Sequence, residues 1–156
     1  MKKMQIHLFS QAIQTGKTTS LMHFVNKQQG CTGILSPVIN GKRHFYSIST
    51  GEYKLMEASE GENEQLEIGK YKFSQAAFDW AIQHCQQDLV APQELFILDE
   101  IGPLELRGEG LSDLLLQLLA KQYVVTNLLL VVRSSMLESF VAHFGLDVGQ
   151  LKTWKI

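Results

Sequence analysis

The chain has 156 residues, of which 45% are apolar, and its fourteen Lys and Arg residues nearly balance its sixteen Asp and Glu residues. This length fits one domain that buries a core without disulfides or a metal, and the net charge of −2 argues against a dedicated nucleic-acid binder. The longest apolar stretch, residues 123–132, is about half as long as a membrane helix requires.

The N-terminal segment does not have the pattern of a signal peptide. Met1, Lys2 and Lys3 supply a positive start, but only the short run Met4–Phe9 follows, and polar residues interrupt it. The apolar region of a signal peptide is longer and more continuous than this. We therefore expect a cytoplasmic protein with no membrane partner.

The first predicted elements are a strand, a helix and a second strand. Met4–Phe9 is typical of a short strand, and a helix is predicted from Gly16 to a stop at Gly30. Cys31–Ile39 predicts the second strand. Pro37 should interrupt that strand, because proline cannot donate a hydrogen bond to a neighbouring strand.

The middle of the chain predicts antiparallel strands. Arg43–Ser49 and Glu52–Met56 are β-like runs on either side of a turn-forming cluster, which indicates a hairpin. Leu66–Phe73 predicts one further strand. We therefore expect a single domain over residues 1–156, with a β-hairpin insertion at about residues 41–73.

Helical patterns return after the insertion. Ser74 is the predicted N-cap of one helix, and the leucines of residues 111–119 form the apolar face of another. Ser135 and Glu138 have the spacing of a capping box, which predicts the start of a third helix.

Two continuous apolar runs, Leu95–Leu98 and Leu128–Val132, are typical of strands that are buried on both faces of a parallel sheet. Leu151–Ile156 predicts an edge strand. The alternation of such strands with one-faced helices predicts an α/β fold of three layers around a mostly parallel sheet.

A candidate phosphate-binding loop lies between the first strand and the first helix. The segment ends in Gly16, Lys17 and Thr18. The free N–H groups and the dipole of a helix N-terminus favour an anion, and glycine lets the backbone approach it closely. In this motif Lys17 would reach the β- and γ-phosphates, and the Thr18 hydroxyl would bind Mg²⁺.

The same segment supplies the expected nucleotide-binding residues, with Thr19 as a further contact from the next turn. These residues are Gln14, Thr15, Gly16, Lys17, Thr18 and Thr19.

A pair of carboxylates follows the apolar run at residues 95–98. Asp99 and Glu100 would lie at the carboxyl edge of the sheet, where open α/β folds bind their ligands. In an enzyme with a phosphate-binding loop, an Asp at this place holds Mg²⁺ and the adjacent Glu accepts a proton from the attacking water. We therefore predict Lys17 and Glu100 as catalytic residues, and Thr18 and Asp99 as metal-binding residues.

These motifs, in this order, resemble the small P-loop nucleoside triphosphatases of the thermophilic and cancer-related type. The phosphate loop at 16–19, the second-strand segment at 34–38, the turn at 41–43 and the segments at 49–52 and 68–71 all contribute to the resemblance. The most specific match is Asp-Glu-Ile-Gly-Pro-Leu-Glu-Leu at 99–106. The resemblance implies a RecA-like core and slow, Mg²⁺-dependent hydrolysis of nucleoside triphosphates such as ATP or GTP, with little base selectivity.

The Walker A loop is degenerate, because Gln11 and Gln14 stand where such loops usually have glycine. A residue other than glycine that is forced to a positive φ costs about 1–3 kcal/mol. If the cost fell on the bound state alone, nucleotide affinity would drop roughly tenfold to a hundredfold.

Three further residues are candidates for the site. Arg133 follows a buried strand and is expected at the same sheet edge as Asp99, whereas Arg43 lies in the turn that resembles the family. An arginine at the site can stabilise the charge of the transferred phosphoryl group, and a surface salt bridge or a loop anchor is the alternative role for each of the two. Glu105 belongs to the segment that most resembles the family.

Two alternatives to a hydrolase remain open from the sequence. A small-molecule kinase would need a second pocket under the insertion and a lid that excludes water. A nucleotide-gated module without enzymatic activity would bind nucleotide and not turn it over. The sequence predicts no particular protein partner.

Overall fold

The computed structural model describes residues 3–11 and 17–154. Short 3-10 turns lie at Ser134–Met136 and Val148–Gln150. In chain order the elements are β1 (Gln5–Gln11), α1 (Lys17–Lys27), β2 (Cys31–Leu35), β3 (Val38–Ile39), β4 (Lys42–Ser47), β5 (Tyr53–Leu55), β6 (Gln65–Ile68), β7 (Tyr71–Ser74), α2 (Gln75–Asp88), β8 (Gln93–Ile101), α3 (Pro103–Leu106), α4 (Ser112–Leu119), β9 (Val125–Arg133), α5 (Leu137–His143) and β10 (Leu151–Thr153).

The main sheet has the order β10-β1-β9-β8-β2-β4-β3, and β5 pairs with residues 44–46 of β4. The strands from β10 to β2 pair in parallel, whereas β4 pairs antiparallel with its neighbours. Two hydrophobic clusters lie on opposite faces of the sheet, one with α1 and the other with α2, α4 and α5. The predicted three-layer, mostly parallel α/β fold is confirmed.

The central strands are buried on both faces, as their continuous apolar runs predict. In β9, Leu128 and Leu130 contact one cluster and Leu129 contacts the other. In β8, Ile97 and Leu98 divide between the clusters in the same way. Strand alternation sends successive side chains to opposite faces, so an apolar run fills both layers.

β2 and β8 make a close backbone approach at Gly33. A Cβ atom on Gly33 would lie 2.0 Å from the carbonyl oxygen of Ile97, and the glycine has a φ of 112°. Only glycine fits this position, because both the clash and the positive φ exclude an L side chain.

The middle of the chain differs from the prediction in one place. Leu66–Phe73 is not a single strand, because β6 and β7 form a separate two-stranded antiparallel sheet. Gly69 has a φ of 56° and turns the chain between them. A two-residue turn with glycine at its first position joins antiparallel strands tightly, and the apolar pattern alone does not show it.

The helix starts agree with the prediction in one case and not in another. Ser74 caps α2, since its Oγ accepts a hydrogen bond from the N–H of Ala77 at 3.2 Å. The capping box predicted at Ser135 and Glu138 is wrong. Ser135 lies inside the 3-10 turn that precedes α5, and the helix starts without a side-chain cap.

The predicted edge strand is confirmed as β10, which pairs in parallel with β1. Within the described part of the chain, no helix has the length and apolar character needed to cross a membrane.

Candidate active site

The site lies at the carboxyl edge of the parallel strands, where ligands bind in open α/β sheets. β8 carries Asp99 and Glu100 to this edge, and β9 ends there at Arg133. β1 ends beside β9, with Gln11 in register with Arg133. The chain between β1 and α1 lies outside the described residues, and α1 begins at Lys17.

Asp99 is the centre of a hydrogen-bond network between three elements. The hydroxyl of Thr18 donates to Asp99 Oδ2 at 2.7 Å, and the backbone N–H of Ser36 donates to the same oxygen at 3.0 Å. The residue is 1% exposed, and burial raises its pKa to about 6, helped by the charge of Glu100. Its other oxygen, Oδ1, is buried and has no hydrogen-bond partner among the residues that the structure describes.

The oxygen atoms of Thr18 and Asp99 fit a magnesium ion. Thr18 and Asp99 offer hard oxygen ligands, and Oδ1 of Asp99, which no described residue contacts by a hydrogen bond, can face a cation. Mg²⁺ typically uses one or two protein carboxylates together with waters and substrate phosphates. Among the described residues, no group of three or more Asp, Glu, His or Cys side chains is arranged to hold a metal ion by itself.

Glu100 has an unusual backbone conformation, with a φ of 64° at a bulge between Leu98 and Ile101. A residue other than glycine held there costs on the order of 1–3 kcal/mol, and such strain is concentrated at functional sites. The bulge places Asp99 and Glu100 differently from a regular strand, because it interrupts the alternation of side chains.

Two arginines hold the Glu100 carboxylate. Arg43 Nη1 lies 3.3 Å from Glu100 Oε1, and Arg133 Nη2 lies 3.6 Å from Glu100 Oε2. Arg43 also donates a hydrogen bond to the carbonyl oxygen of Ser36 at 3.0 Å. The structure therefore brings both candidate arginines to the predicted base.

Ser36 belongs to the site, although the sequence did not predict it as a site residue. It is fully buried just after β2, and it links Asp99 to Arg43 through its backbone N–H and carbonyl. The sequence offered one signal for Ser36. It is a polar residue between a buried strand and Pro37, in the segment 34–38 that resembles the family.

Glu105 lies behind the site and organises the chain after β8. Its carboxylate oxygens accept hydrogen bonds from the N–H groups of Gly102 at 2.8 Å and Leu111 at 2.9 Å. It lines a cavity of about 60 Å³ together with Asp99 and Glu100. Burial raises the pKa of Glu105 to about 7. Glu105 is thus placed to position the segment between Gly102 and Leu111.

We expect Glu105→Gln to flatten the pH dependence of stability. The folded state holds the proton of Glu105 up to about pH 7, whereas a carboxyl with the ordinary value of 4.5 releases it earlier. The stabilisation of the folded state by the protonated Glu105 is therefore complete below pH 4.5 and is lost as the pH rises to 7. The free energy of unfolding falls by about 3 kcal/mol over this range. Urea unfolding of both proteins between pH 4.5 and 7.5 measures the difference.

The exposed Glu60 offers a control, because the stability of Glu60→Gln should depend on pH as that of the wild type does. If the free energy of unfolding changes with pH equally in the wild type and in Glu105→Gln, Glu105 is not the group that causes the pH dependence.

The other predicted residues are placed as follows. Gln14, Thr15 and Gly16 lie outside the described residues, as does the side chain of Lys17. Thr19 is exposed in the first turn of α1. The backbone of Gln11 is extended within β1, so the predicted left-handed strain does not occur at this position.

The chain was compared with known protein families, and the model of a family described as NTPase matches residues 8–151. The chain belongs to this P-loop NTPase family. Membership confirms the resemblance noted from the phosphate loop and residues 99–106, and it assigns the chain to a class of proteins that bind and hydrolyse nucleoside triphosphates.

Two solved structures share the fold of this NTPase-family chain. The crystal structure of THEP1 from the hyperthermophile Aquifex aeolicus is 16% identical, with a TM-score of 0.64 over 97% of this chain and 89% of that one. The solution structure of a human cancer-related nucleoside triphosphatase is 17% identical, with a TM-score of 0.64 over 97% and 88%. They support the RecA-like architecture of the core. No curated protein sequence matches the chain significantly.

Proposed function

We propose that this chain is a Mg²⁺-dependent enzyme that slowly hydrolyses nucleoside triphosphates to the diphosphate and phosphate, with weak selectivity for the base. The observation that carries the proposal is the arrangement at the ends of α1 and β8. Thr18 and Asp99 share a hydrogen bond, and next to them Glu100 is held by two arginines. The weak base selectivity rests on the family resemblance.

The chain would bind the triphosphate at the start of α1. Backbone N–H groups at this helix end lack intrahelical partners, and the dipole favours the phosphates there. Lys17 would pair with the β- and γ-phosphates. Thr18 and Asp99 would hold Mg²⁺, which neutralises negative charge on the phosphates when bound.

Glu100 would act as the general base. A water oxygen attacks the γ-phosphorus, its proton passes to a carboxylate oxygen of Glu100, and the bond from the γ-phosphorus to the bridging oxygen breaks. The 60 Å³ cavity that Glu100 lines has room for water, since one molecule needs about 10–15 Å³ by the same kind of measure.

Arg43 and Arg133 would stabilise the charge that spreads over the transferred phosphoryl group. Their nitrogens lie within 4 Å of Glu100, so both are close to the place where the water and the γ-phosphate would meet. An arginine supplied within the chain can accelerate such a reaction by a factor of about 10³–10⁵. This placement supports a site that uses its own arginines.

Phosphate release from ATP, GTP and CTP tests the proposal. We expect turnover with Mg²⁺, its loss with a chelator, and rates for the three nucleotides within about tenfold of one another. Lys17→Ala should lower the rate at least about 100-fold, because a preorganised cationic donor to the phosphates is removed. Lys27→Ala is the matched control, since Lys27 is exposed at the opposite end of the same helix.

Full activity in Lys17→Ala would overturn the assignment of the phosphate site. Nucleotide binding without turnover in the wild type would favour the gated module over the hydrolase.

A further inference from the structure

A second pocket opens beside the candidate active site, between the insertion strands and Pro103. Its volume is about 320 Å³, and its lining includes Val38, Arg43, Tyr71 and Arg133. Small-molecule sites typically have volumes from about 300 to 1,000 Å³. A water nucleophile needs far less space, and the 60 Å³ cavity at Glu100 already provides it.

The two cavities are neighbours with a common wall. Both are lined by the same five residues, which are Arg43, Ile68, Phe73, Pro103 and Arg133. The smaller cavity contains Asp99, Glu100 and Glu105, whereas the larger one opens under the β6–β7 hairpin and the turn before β4. A molecule in the larger pocket would therefore lie next to the place proposed for the terminal phosphate.

Part of the wall is apolar and faces solvent. Val38 is 56% exposed and Tyr71 is 54% exposed, and both line this pocket. The ring of Tyr71 lies nearly parallel to that of Phe73, with an angle of 8° and a centroid separation of 6.3 Å. A contiguous exposed apolar surface beside charged groups is typical of a ligand-binding site, and a rigid aromatic ring offers a flat contact surface.

The charges of the pocket favour an anion at one end. Arg43 and Arg133 both line the pocket, whereas Glu100, the carboxylate that they share, lines the smaller cavity. Arginine binds carboxylates and phosphates well, because its planar group presents several donors. Glu57 also lines the pocket and can accept a hydrogen bond from a hydroxyl group of a ligand.

We propose that this pocket binds a second small molecule, distinct from the nucleotide, that carries a carboxylate or phosphate on an aromatic or apolar body. The anionic group lies against Arg43 and Arg133, and the body lies against Val38, Ile68 and Tyr71. The idea that this molecule lies beside the phosphoryl group being transferred rests on the proposed function. Binding of the molecule to the pocket does not depend on that function, so the pocket is tested without nucleotide.

Phenyl phosphate is the probe, and methyl NMR of Val38 and Ile68 reports on the pocket itself. We expect saturable shifts of both methyl signals, with an affinity at least about tenfold higher than for inorganic phosphate or for benzyl alcohol. Tyr71→Ser should weaken binding at least about tenfold, because the aromatic wall is lost. It should leave the basal hydrolysis of ATP within about twofold of the wild type.

Tyr53→Ser is the matched control, because Tyr53 is a tyrosine of similar exposure, at 47%, on β5 and outside the pocket lining. Lys17→Ala should retain binding of the probe. The proposal is overturned if the probe shifts neither methyl signal, if Tyr71→Ser binds as the wild type does, or if Lys17→Ala alone abolishes binding. Binding as expected in a protein without hydrolysis would leave the pocket in place and refute only the proposed function.

Discussion

Glu100→Gln is expected to lower kcat for nucleoside triphosphate hydrolysis by about 10²–10⁴-fold, the usual contribution of a general base. Glutamine keeps the size of the side chain but cannot accept the proton of the attacking water. Nucleotide affinity should stay within about threefold of the wild type, since Lys17, Thr18 and Asp99 remain. Phosphate release and equilibrium binding of a fluorescent nucleotide separate the two effects.

Glu109 supplies a matched control for this experiment. It also pairs with an arginine, since Arg107 Nε lies 3.2 Å from Glu109 Oε1, but both side chains are substantially exposed. Glu109→Gln should therefore leave kcat unchanged, as exposed ion pairs contribute little. If Glu100→Gln hydrolyses at the wild-type rate, Glu100 is not the base.

Gly33→Ala is expected to destabilise the protein by at least about 4 kcal/mol, which is in the exceptional range for a single substitution. The added methyl group would meet the carbonyl oxygen of Ile97 at 2.0 Å, and the φ of 112° would add strain. A typical domain has only about 5–15 kcal/mol of stability. We expect a large loss of soluble protein and a much lower urea midpoint.

Gly61→Ala separates the two contributions to this effect. Gly61 also has a positive φ, of 80°, but no atom of the described residues lies within 4 Å of the place where its Cβ would be. Its alanine variant should lose only about 1 kcal/mol, which corresponds to the backbone strain alone. Similar losses in the two variants would show that β2 and β8 do not approach each other as closely as described.

The sequence predicted the part of the site that parallel strands bring together. A helix that begins within Gly-Lys-Thr and a buried strand followed by Asp-Glu must meet at one sheet edge, and the hydrogen bond between Thr18 and Asp99 follows from that arrangement. Both signals are local, and the rule that links them is general for open α/β sheets.

The remaining contacts depend on features that no local pattern shows. Arg43 reaches Glu100 because β4 pairs antiparallel with β2, and Ser36 joins the network because the chain leaves β2 beside Asp99. The turn at Gly69 divides what looked like one strand and creates the hairpin above the second pocket. The strain expected at Gln11 depended on placing Gln11 in the phosphate-binding loop. In the structure Gln11 is the last residue of β1, and its backbone is extended.

The order of the strands also fixes a length in the site. β9 lies between β1 and β8, and neighbouring strands are about 4.8 Å apart, so the ends of β1 and β8 are separated by about 10 Å. A phosphoryl group and a water molecule would fit between the end of β1 and the carboxylate on β8. The strand that acts as the spacer also delivers Arg133 to the middle of the gap. The spacing of the strands would therefore set the span of the proposed reaction.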